Sequence, residues 1–452
     1  MLLQFAVENY ACFADEVLFS MVASAGAEHP RHVVQSRAGR KPRILRLAAL
    51  YGANAHGKTK LIEALRFAQN LVVRGTRSGR RIRTAPFRLD RQWRESPSRF
   101  EFLIDHQGVE YSYGFAVDSE RVHEEWLFIR ETARESRYFE RVTTEDGKVT
   151  VEIGPKLAGG DRKQRQFLEF VAQGTRPNQL FLTESVDRNV EALKPLFHWF
   201  RFVLTIVSAE EAPQPLAVRL DREEDFVAFM ADFLRNASTG IEGLGIEQEP
   251  LDFERHFPDM PVGMRDDLDA DLSEGAVFGL PGPDGQSLTL YLDDRNQPTV
   301  ARLKTRHKGR DSLEEDFDFE DESAGIQRLM EILPILADAA SGERVYVVDE
   351  LDRKLHPLLS RLFVTSFIDR CDDAQRTQLI FTTHDTHLMD LELLRRDEIW
   401  FFEKDQHGAS SLFSMNALKV RPDLKVEKSY LNGRFGGIPL IREPAVGSDA
   451  SC

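Results

Sequence analysis

The hydrophobic and polar positions near the start of the chain predict two strands followed by a helix. Leu3, Phe5 and Val7 alternate with less hydrophobic residues, a period typical of a half-buried β-strand. The stretch from Ile44 to Tyr51 is mostly apolar and has the length of a buried strand. Apolar residues between Leu61 and Leu71 recur at helical spacing, so a helix follows the second strand closely.

The middle of the chain gives weaker patterns. Two alternating runs between Phe100 and Val117 flank His106-Gln107-Gly108, which predicts a β-hairpin. A helix is expected over Asp225–Asn236, and the Pro-, Gly- and Asp-rich stretch Phe257–Gly285 is interpreted as loops. An acidic tract, Asp311–Glu322, closes this region. The sequence shows no internal repeat and no sustained heptads, which argues against a long coiled coil.

The last third alternates between helical and strand patterns. Helices are predicted at Ile326–Leu336 and Leu358–Ile368. Short apolar strands are predicted at Arg344–Val348, Gln378–Thr383 and Glu398–Phe402. Strands that alternate with helices indicate a parallel sheet with crossover connections.

A glycine-containing segment joins the second predicted strand to the first predicted helix and fits the P-loop pattern G-x-x-x-x-G-K-[ST]. Its residues are Gly52, Ala53, Asn54, Ala55, His56, Gly57, Lys58 and Thr59. The glycines allow the backbone N–H groups to point at a phosphate, at the amino-terminal end of the helix. Lys58 is predicted to contact the β- and γ-phosphates of ATP, and Thr59 to offer its hydroxyl to Mg²⁺.

Two further strands end in residues suited to nucleotide hydrolysis. Asp349 and Glu350 follow the strand Arg344–Val348. We interpret Asp349 as the Walker B carboxylate that holds Mg²⁺, and Glu350 as the residue that orients or deprotonates the attacking water. His384 follows the strand Gln378–Thr383, and its imidazole is predicted to reach the γ-phosphate.

Ser323 and Gly325 precede a predicted helix. A serine at this position is by default an N-cap. Backbone N–H groups and a hydroxyl at a helix start also form a phosphate receptor. Since the P-loop already holds one face of the nucleotide, we expect a second receptor to serve the nucleotide of a partner subunit.

Composition and charge narrow the class of protein. The chain of 452 residues is 42% hydrophobic and 29% charged, which is ordinary globular usage. No stretch is apolar enough to span a membrane, the start lacks the features of a secretory signal, and Cys12, Cys371 and Cys452 do not form a disulfide framework. We therefore expect a cytoplasmic protein without membrane contact.

The net charge of −15 excludes a surface that binds nucleic acid everywhere, but one stretch is strongly basic. This arginine segment contains Arg74, Arg77, Arg80, Arg81, Arg83, Arg88, Arg91 and Arg94. It is either a solvated, flexible loop or a nucleic-acid contact.

Together these motifs resemble ABC-type ATPases of the SMC/RecF class, and more closely the AAA-family, abortive-infection ATPases of bacterial anti-phage defence. The resemblance covers roughly residues 1–120 and 320–441. It rests on the segments LQFAVENYACF, YGANAHGKTKLIEAL, ESAGIQRLMEILP, VYVVDELDRKLHP, IFTTHDTHLMD and YLNGRFGGIPLI.

The resemblance implies an α/β fold: an ABC-type ATPase head, with a mostly parallel sheet and an antiparallel β-subdomain, formed by residues 1–120 and 320–452. Residues 121–319 would be an inserted, largely helical lobe. It also implies a composite ATP site closed by Ser323 and Gly325 of a partner subunit, with Leu351–Pro357 at the seam of a homo-dimer or higher oligomer. The implied function is a nucleotide-switched regulator that controls a partner effector, such as a nuclease encoded nearby.

Some residues depart from the family pattern. His56 stands where a small residue is usual, and Ala324 and Ile326 replace residues of the LSGGQ signature. Gln92 is the candidate for the Q-loop glutamine. The main alternative is a RecF/SMC-like DNA-repair ATPase that binds DNA through the arginine segment. A small-molecule kinase would not require the strand that ends in Asp349-Glu350 or the one that ends in His384.

Overall fold

The computed structural model describes residues 1–37, 42–132, 134–208, 216–273, 275–283, 285–340, 342–372, 374–418 and 426–432. They divide into two compact units. The first unit is Met1–Val207, Gly342–Leu351 and Cys371–Cys452, and the second is Ser208–Ser341 and Asp352–Arg370. Over the described part of the chain, no helix has the length and apolar character needed to cross a membrane.

The strands are β1 Leu2–Glu8, β2 Val17–Ser20, β3 Val33–Gln35, β4 Arg43–Leu45, β5 Leu47–Tyr51, β6 Ser98–His106, β7 Val109–Val117, β8 Val122–Arg130, β9 Ser136–Thr143, β10 Val149–Ile153, β11 Leu204–Val207, β12 Ile241–Pro250, β13 Phe278–Pro281, β14 Ser287–Leu292, β15 Pro298–Lys308, β16 Glu314–Asp318, β17 Glu343–Val348, β18 Arg376–Thr382, β19 Ile399–Lys404 and β20 Ser410–Ser414. The α-helices are α1 Lys58–Arg74, α2 Arg91–Glu95, α3 Pro155–Ala158, α4 Arg162–Gly174, α5 Phe181–Asp187, α6 Lys194–His198, α7 Leu216–Arg222, α8 Glu224–Asn236, α9 Phe253–His256, α10 Val262–Ser273, α11 Ala324–Ala339, α12 Pro357–Arg370 and α13 Val426–Leu431.

A six-stranded sheet in the order β11-β17-β18-β5-β19-β20 forms the centre of the first unit. All its pairs are parallel except β19–β20. Every residue of β5 and β18 is buried, as expected of parallel strands covered on both faces. Because β17, β18 and β5 are neighbours, the segments that follow them lie side by side at one edge of the sheet.

The second sheet of this unit is antiparallel, in the order β10-β9-β8-β7-β6-β1-β2. The predicted hairpin is confirmed as β6 and β7, joined by a turn in which Gln107 and Gly108 have positive φ. One hydrophobic cluster includes Phe5 of β1, Leu65 of α1 and Ile380 of β18. The two sheets and α1 therefore share a core, and the predicted α/β fold, with a mostly parallel sheet beside an antiparallel one, is confirmed.

The second unit contains a smaller antiparallel sheet of β12–β16 and the helices α7–α12. The predicted helices at 225–236, 326–336 and 358–368 correspond to α8, α11 and α12. The interpretation of 257–285 as loops is wrong, because α10 and β13 lie within it. Helix α10 buries Leu268 and Leu272 among acidic residues, so its apolar periodicity is too sparse to recognise.

The acidic tract forms a strand as well. β16 pairs antiparallel with the basic end of β15, where Lys304 lies opposite Asp318 and Arg306 opposite Asp316. Charge complementarity between the two segments, rather than an apolar pattern, stabilises this strand, and the sequence of the tract alone does not indicate it.

The division into units differs from the expected boundaries of the inserted lobe, which were 121 and 319. Strands β8–β10 extend the antiparallel sheet and β11 joins the parallel sheet, so residues 121–207 group with the first unit. The second unit extends past residue 319 to include α11 and α12. The described part of residues 121–319 contains the expected helices and also nine strands, β8–β16.

Candidate functional site

Two glycines shape the loop between β5 and α1. Gly57 has a φ of 118°, in the left-handed region, and a Cβ there would lie 3.1 Å from Sγ of Cys12. A Cβ on Gly52 would lie 3.0 Å from Cβ of Phe402 and 3.2 Å from its carbonyl oxygen. Both predicted P-loop glycines therefore occupy positions where the backbone approaches its neighbours closely.

Lys58 begins α1 and is only 6% exposed. Its Nζ donates hydrogen bonds to the carbonyl oxygens of Gly52, at 2.7 Å, and Ala53, at 3.2 Å. The ammonium group thus lies inside the turn, at the positive end of the helix. Anions are stabilised at such a position by the helix N–H groups as well as by the charge.

Asp349 follows β17 and approaches the start of α1. Oγ1 of Thr59 lies 3.5 Å from Oδ1 of Asp349, which is 4% exposed. Oγ1 of Thr382, the last residue of β18, donates a 2.6 Å hydrogen bond to the same oxygen. The structure therefore brings together the predicted metal-binding pair and a threonine that the sequence did not single out.

Glu350 has an unusual backbone conformation. Its φ of 49° lies in the left-handed region, which costs a residue with a Cβ about 1–2 kcal/mol. The N–H of Glu350 donates to Oγ1 of Thr382 at 2.7 Å, and the N–H of Leu351 donates to the carbonyl oxygen of Thr382 at 3.0 Å. Both bonds hold the turn that directs the Glu350 side chain.

A cavity of about 730 Å³ opens over the loop. Glu350 and the exposed His384 line it together with Lys58 and Thr59, so the carboxylate, the imidazole and the ammonium group border one space. Its remaining lining residues are Ala11, Cys12, Asn54, Ala55, Gly57, Lys60, Ala85, Pro86, Phe87, Arg88, Leu89, Lys404 and Gly408.

The wall formed by residues 85–89 is held by the fully buried Asn9. Oδ1 of Asn9 accepts from the N–H of Phe87 at 2.9 Å. Its Nδ2 donates to the carbonyl oxygens of Trp93 at 2.7 Å, Ser96 at 2.8 Å and Pro97 at 3.3 Å. One side chain therefore joins the end of β1 to Phe87 in this wall and to the chain at residues 93–97 that follows it. The sequence gives only a weak indication of this role. Asparagine tolerates the left-handed backbone conformation, and Asn9 adopts it with a φ of 51°.

Arg66 of α1 adds positive charge near the carboxylates. Burial lowers the pKa of Arg66, and the negative charge of Asp349 opposes that shift. Its Nη2 lies 3.5 Å from the carbonyl oxygen of Ile206. The half-buried guanidinium therefore interacts electrostatically with Asp349.

Ser323 and Gly325 belong to the second unit. Ser323 is exposed and caps α11, since its Oγ accepts from the N–H of Ile326 at 3.3 Å. A Cβ on Gly325 would lie 2.7 Å from the carbonyl oxygen of Lys354. Nε2 of Gln327 donates to three carbonyl oxygens of the preceding turn, which fixes the entry to the helix. The N-cap interpretation is confirmed, and the phosphate-receptor interpretation stays a prediction.

Two departures from the family pattern have defined positions. His56 is partly buried and is not among the residues that line the cavity. Its buried Nδ1 has no hydrogen-bond partner among the residues that the structure describes. Gln92 is exposed in α2 and is not among the cavity-lining residues. Residues 433–441, most of the matching tail segment, and Cys452 lie outside the described part of the chain.

The arginine segment is anchored. Nη2 of Arg176 donates to the carbonyl oxygen of Thr76 at 2.6 Å, and Nδ2 of Asn178 donates to that of Arg80 at 2.9 Å. Ile82 and Phe87 are buried, whereas all eight arginines are exposed. Within the described residues, none of the eight forms an ion pair with an acidic side chain. Their backbone is thus held while their charges face solvent.

The donor set suits a hard divalent cation. A hydroxyl and a carboxylate are ligands that Mg²⁺ accepts, and it commonly takes its remaining ligands from phosphates and water. No group of three or more His, Cys, Asp or Glu side chains able to hold a metal occurs among the residues that the structure describes. Thr59 and Asp349 therefore fit a cation that a phosphate-bearing ligand completes.

No protein of curated function matches the sequence. Among solved structures, "SMC head domain from Thermotoga maritima" is 13% identical, with a TM-score of 0.36, and the match covers 93% of this chain and 99% of that one. "Crystal structure of the SmcHead bound to the C-winged helix domain of ScpA" is 11% identical, with a TM-score of 0.43, covering 91% and 97%. A Smc head domain with an extended coiled coil, bound to the C-terminal domain of ScpA derived from Pyrococcus furiosus, is 12% identical, with a TM-score of 0.32, covering 96% and 98%. With TM-scores below 0.5, none of these likenesses supports a statement about this chain.

Residues 47–390 match the model described as "AAA domain, putative AbiEii toxin, Type IV TA system". That range begins at β5, before the P-loop, and ends beyond His384, so it includes the P-loop, Asp349, Glu350 and His384. The matched range is about three-quarters of the chain, and the chain therefore belongs to this AAA ATPase family.

Proposed function

We propose that the protein binds and hydrolyses ATP with Mg²⁺ at the site formed by the P-loop, Asp349, Glu350 and His384. The single observation that carries this proposal is that Thr59 and Asp349, 290 residues apart, approach to 3.5 Å beside the buried Lys58. Family membership supports nucleotide binding in general, and this geometry supports the specific roles.

Each side chain has a defined task. Lys58 exchanges its bonds to the loop carbonyls for bonds to phosphate oxygens, and the N–H groups of the loop bind the same phosphates. Thr59 and Asp349 would hold Mg²⁺, which supplies positive charge to neutralise the phosphates. Glu350 accepts a proton from the attacking water, and His384 donates a hydrogen bond to the terminal phosphate. Product release restores the bonds between Lys58 and the loop.

We further propose that ATP controls assembly of this protein into a homo-dimer or higher oligomer. Ser323 is exposed at the amino-terminal end of a long helix, and Gln327 holds the turn before it, which supports a preformed receptor for a partner's nucleotide. The assembly would regulate an effector protein encoded nearby, such as a nuclease, in cytoplasmic antiviral defence by abortive infection. The family description, which names a toxin of a type IV toxin–antitoxin system, supports a role in growth control.

Glu350→Gln tests this cycle, because the amide cannot take a proton while the metal-binding pair stays intact. We expect Glu350→Gln to bind ATP, to hydrolyse it at least 100-fold more slowly and to form a larger assembly by light scattering. Co-purification with the product of the neighbouring reading frame tests effector control. A variant that stays monomeric with ATP contradicts the assembly step, and an effector that never associates contradicts the regulatory role.

The second candidate function is a RecF/SMC-like DNA-binding ATPase. The observation that favours it is the anchored arginine segment, whose exposed guanidinium groups form no ion pair with an acidic side chain in the part of the chain that the structure describes. Because each phosphate contact contributes about −0.9 to the slope of log K against log salt on double-stranded DNA, replacing Arg77, Arg80 and Arg81 with alanine should reduce the slope by up to about 3.

Arg235, Arg255 and Arg306 provide the matched control, since each already pairs with an acidic side chain. Their triple alanine variant changes the net charge equally and should leave the slope unchanged. Equal effects of both triple variants, or binding that does not depend on salt, would remove this candidate.

A further inference from the structure

Thr382 lies where the two Walker B acids meet the end of β18, and it is fully buried. Its hydroxyl is both a hydrogen-bond donor and an acceptor. Oγ1 donates to Oδ1 of Asp349 at 2.6 Å and accepts from the N–H of Glu350 at 2.7 Å. A hydroxyl has one proton to donate, so its bond to Asp349 uses that proton fully. One side chain therefore contacts both acids.

The same residue also holds the backbone of the turn. Its carbonyl oxygen accepts from the N–H of Leu351 at 3.0 Å, directly after the left-handed Glu350. A strained backbone persists only where its surroundings determine it, and here two hydrogen bonds to one threonine do so. Without the hydroxyl, Glu350 would lose one of them and Asp349 would lose its 2.6 Å hydrogen bond.

We propose that Thr382 is a positioning residue that sets the Asp349 carboxylate toward Thr59 and keeps the Glu350 side chain directed into the cavity. This inference rests on the proposed ATPase function and adds to it a residue that touches neither nucleotide nor metal. Removing the hydroxyl should weaken the contribution of Mg²⁺ to ATP affinity, through Asp349, and slow turnover, through Glu350.

Thr382→Val and Thr382→Ser separate the hydroxyl from the shape of the side chain. Valine replaces the hydroxyl with a methyl group in a fully buried site, whereas serine keeps both hydrogen bonds. Thr377→Val is the matched control, since Thr377 is also fully buried at the other end of β18. Calorimetry gives the dissociation constant of ATP with and without Mg²⁺, and steady-state assays give kcat and KM.

We expect the factor by which Mg²⁺ raises ATP affinity to be at least five-fold smaller in Thr382→Val than in the wild type. We also expect kcat of this variant to be at least ten-fold lower. Thr382→Ser should stay within about three-fold of the wild type in both quantities. Thr377→Val should lower the melting temperature about as much as Thr382→Val while it leaves the effect of Mg²⁺ on affinity unchanged.

The inference is overturned if Thr382→Val retains the wild-type dependence on Mg²⁺ and the wild-type kcat, or if Thr382→Ser is as impaired as Thr382→Val. An equal loss in Thr377→Val also overturns it, because the effect would then be one of general stability. If the wild type itself binds no ATP, the proposed function fails and this inference with it.

Discussion

Asn9 offers the clearest prediction of stability, because a single buried side chain holds the wall of the cavity. Asn9→Ala removes the bond from the N–H of Phe87 and the two short bonds to the carbonyl oxygens of Trp93 and Ser96. At about 1 kcal/mol net for each bond, this costs about 3 kcal/mol. Alanine also takes the left-handed backbone of residue 9 less readily than asparagine, which adds about 1 kcal/mol. We expect a total loss of about 4 kcal/mol.

Asn9→Gly is the matched control, since it removes the same bonds but adopts the left-handed backbone freely. Its loss should be smaller than that of Asn9→Ala by about 1 kcal/mol, after allowing for the greater freedom of glycine in the unfolded chain. All four tryptophans, Trp93, Trp126, Trp199 and Trp400, lie in the first unit. Urea unfolding followed by tryptophan fluorescence therefore reports on the unit that contains Asn9.

The reasoning is refuted if Asn9→Ala costs less than about 1 kcal/mol, since three buried hydrogen bonds would then contribute almost nothing. If Asn9→Gly were less stable than Asn9→Ala, the strain assigned to the left-handed backbone of residue 9 would be refuted. Asn9→Ala should also raise the dissociation constant of ATP, because residues 85–89 line the cavity.

Two other predictions concern the P-loop and acid stability. Gly57→Ala should abolish ATP binding, because a Cβ at a φ of 118° would lie 3.1 Å from Sγ of Cys12. Gly174→Ala should bind ATP normally, because a Cβ there would meet no described atom within 4 Å outside its chain neighbours and its own helix backbone. Calorimetry measures both dissociation constants. Burial alone would raise the pKa of Glu343, but the hydrogen bond from His106 and the charge of the terminal amine lower it from 4.5 to about 2. A carboxylate whose pKa is lowered on folding stabilises the fold fully when the pH is above its pKa in the unfolded chain. That stabilisation is lost as the pH falls toward 2. Between pH 5 and 3.5 the loss should be about 1 kcal/mol in urea unfolding, and Glu343→Gln should remove that part of the pH dependence; an unchanged dependence would contradict the assignment.

The sequence predicted those parts of the fold that local pattern determines. The apolar run before the P-loop, the helix that starts at Lys58 and the strands before Asp349 and His384 all have strong periodicity or composition, and the structure confirms them. Helix α10 and strand β16 were not predicted, because few apolar residues define either element. Their stability comes from tertiary contacts and cross-strand charges.

The residues of the site also divide into those that a local sequence motif predicts and those that only the fold brings into place. Lys58, Thr59, Asp349 and Glu350 belong to motifs whose spacing points to phosphate chemistry. Thr382 has no such signal, since a threonine in a buried strand is expected for its β-propensity alone. Its importance depends on a contact across 33 residues of sequence, which only the fold provides.

Calorimetric titration of ATP with Mg²⁺ into the wild type and Lys58→Ala is the most direct test of whether the P-loop binds the triphosphate. We expect saturable binding of about one ATP per chain by the wild type and no measurable binding by Lys58→Ala, since the variant lacks the ammonium group inside the turn. A wild type that releases no heat with ATP, or a variant that binds it equally well, would contradict the claim that this loop holds the triphosphate.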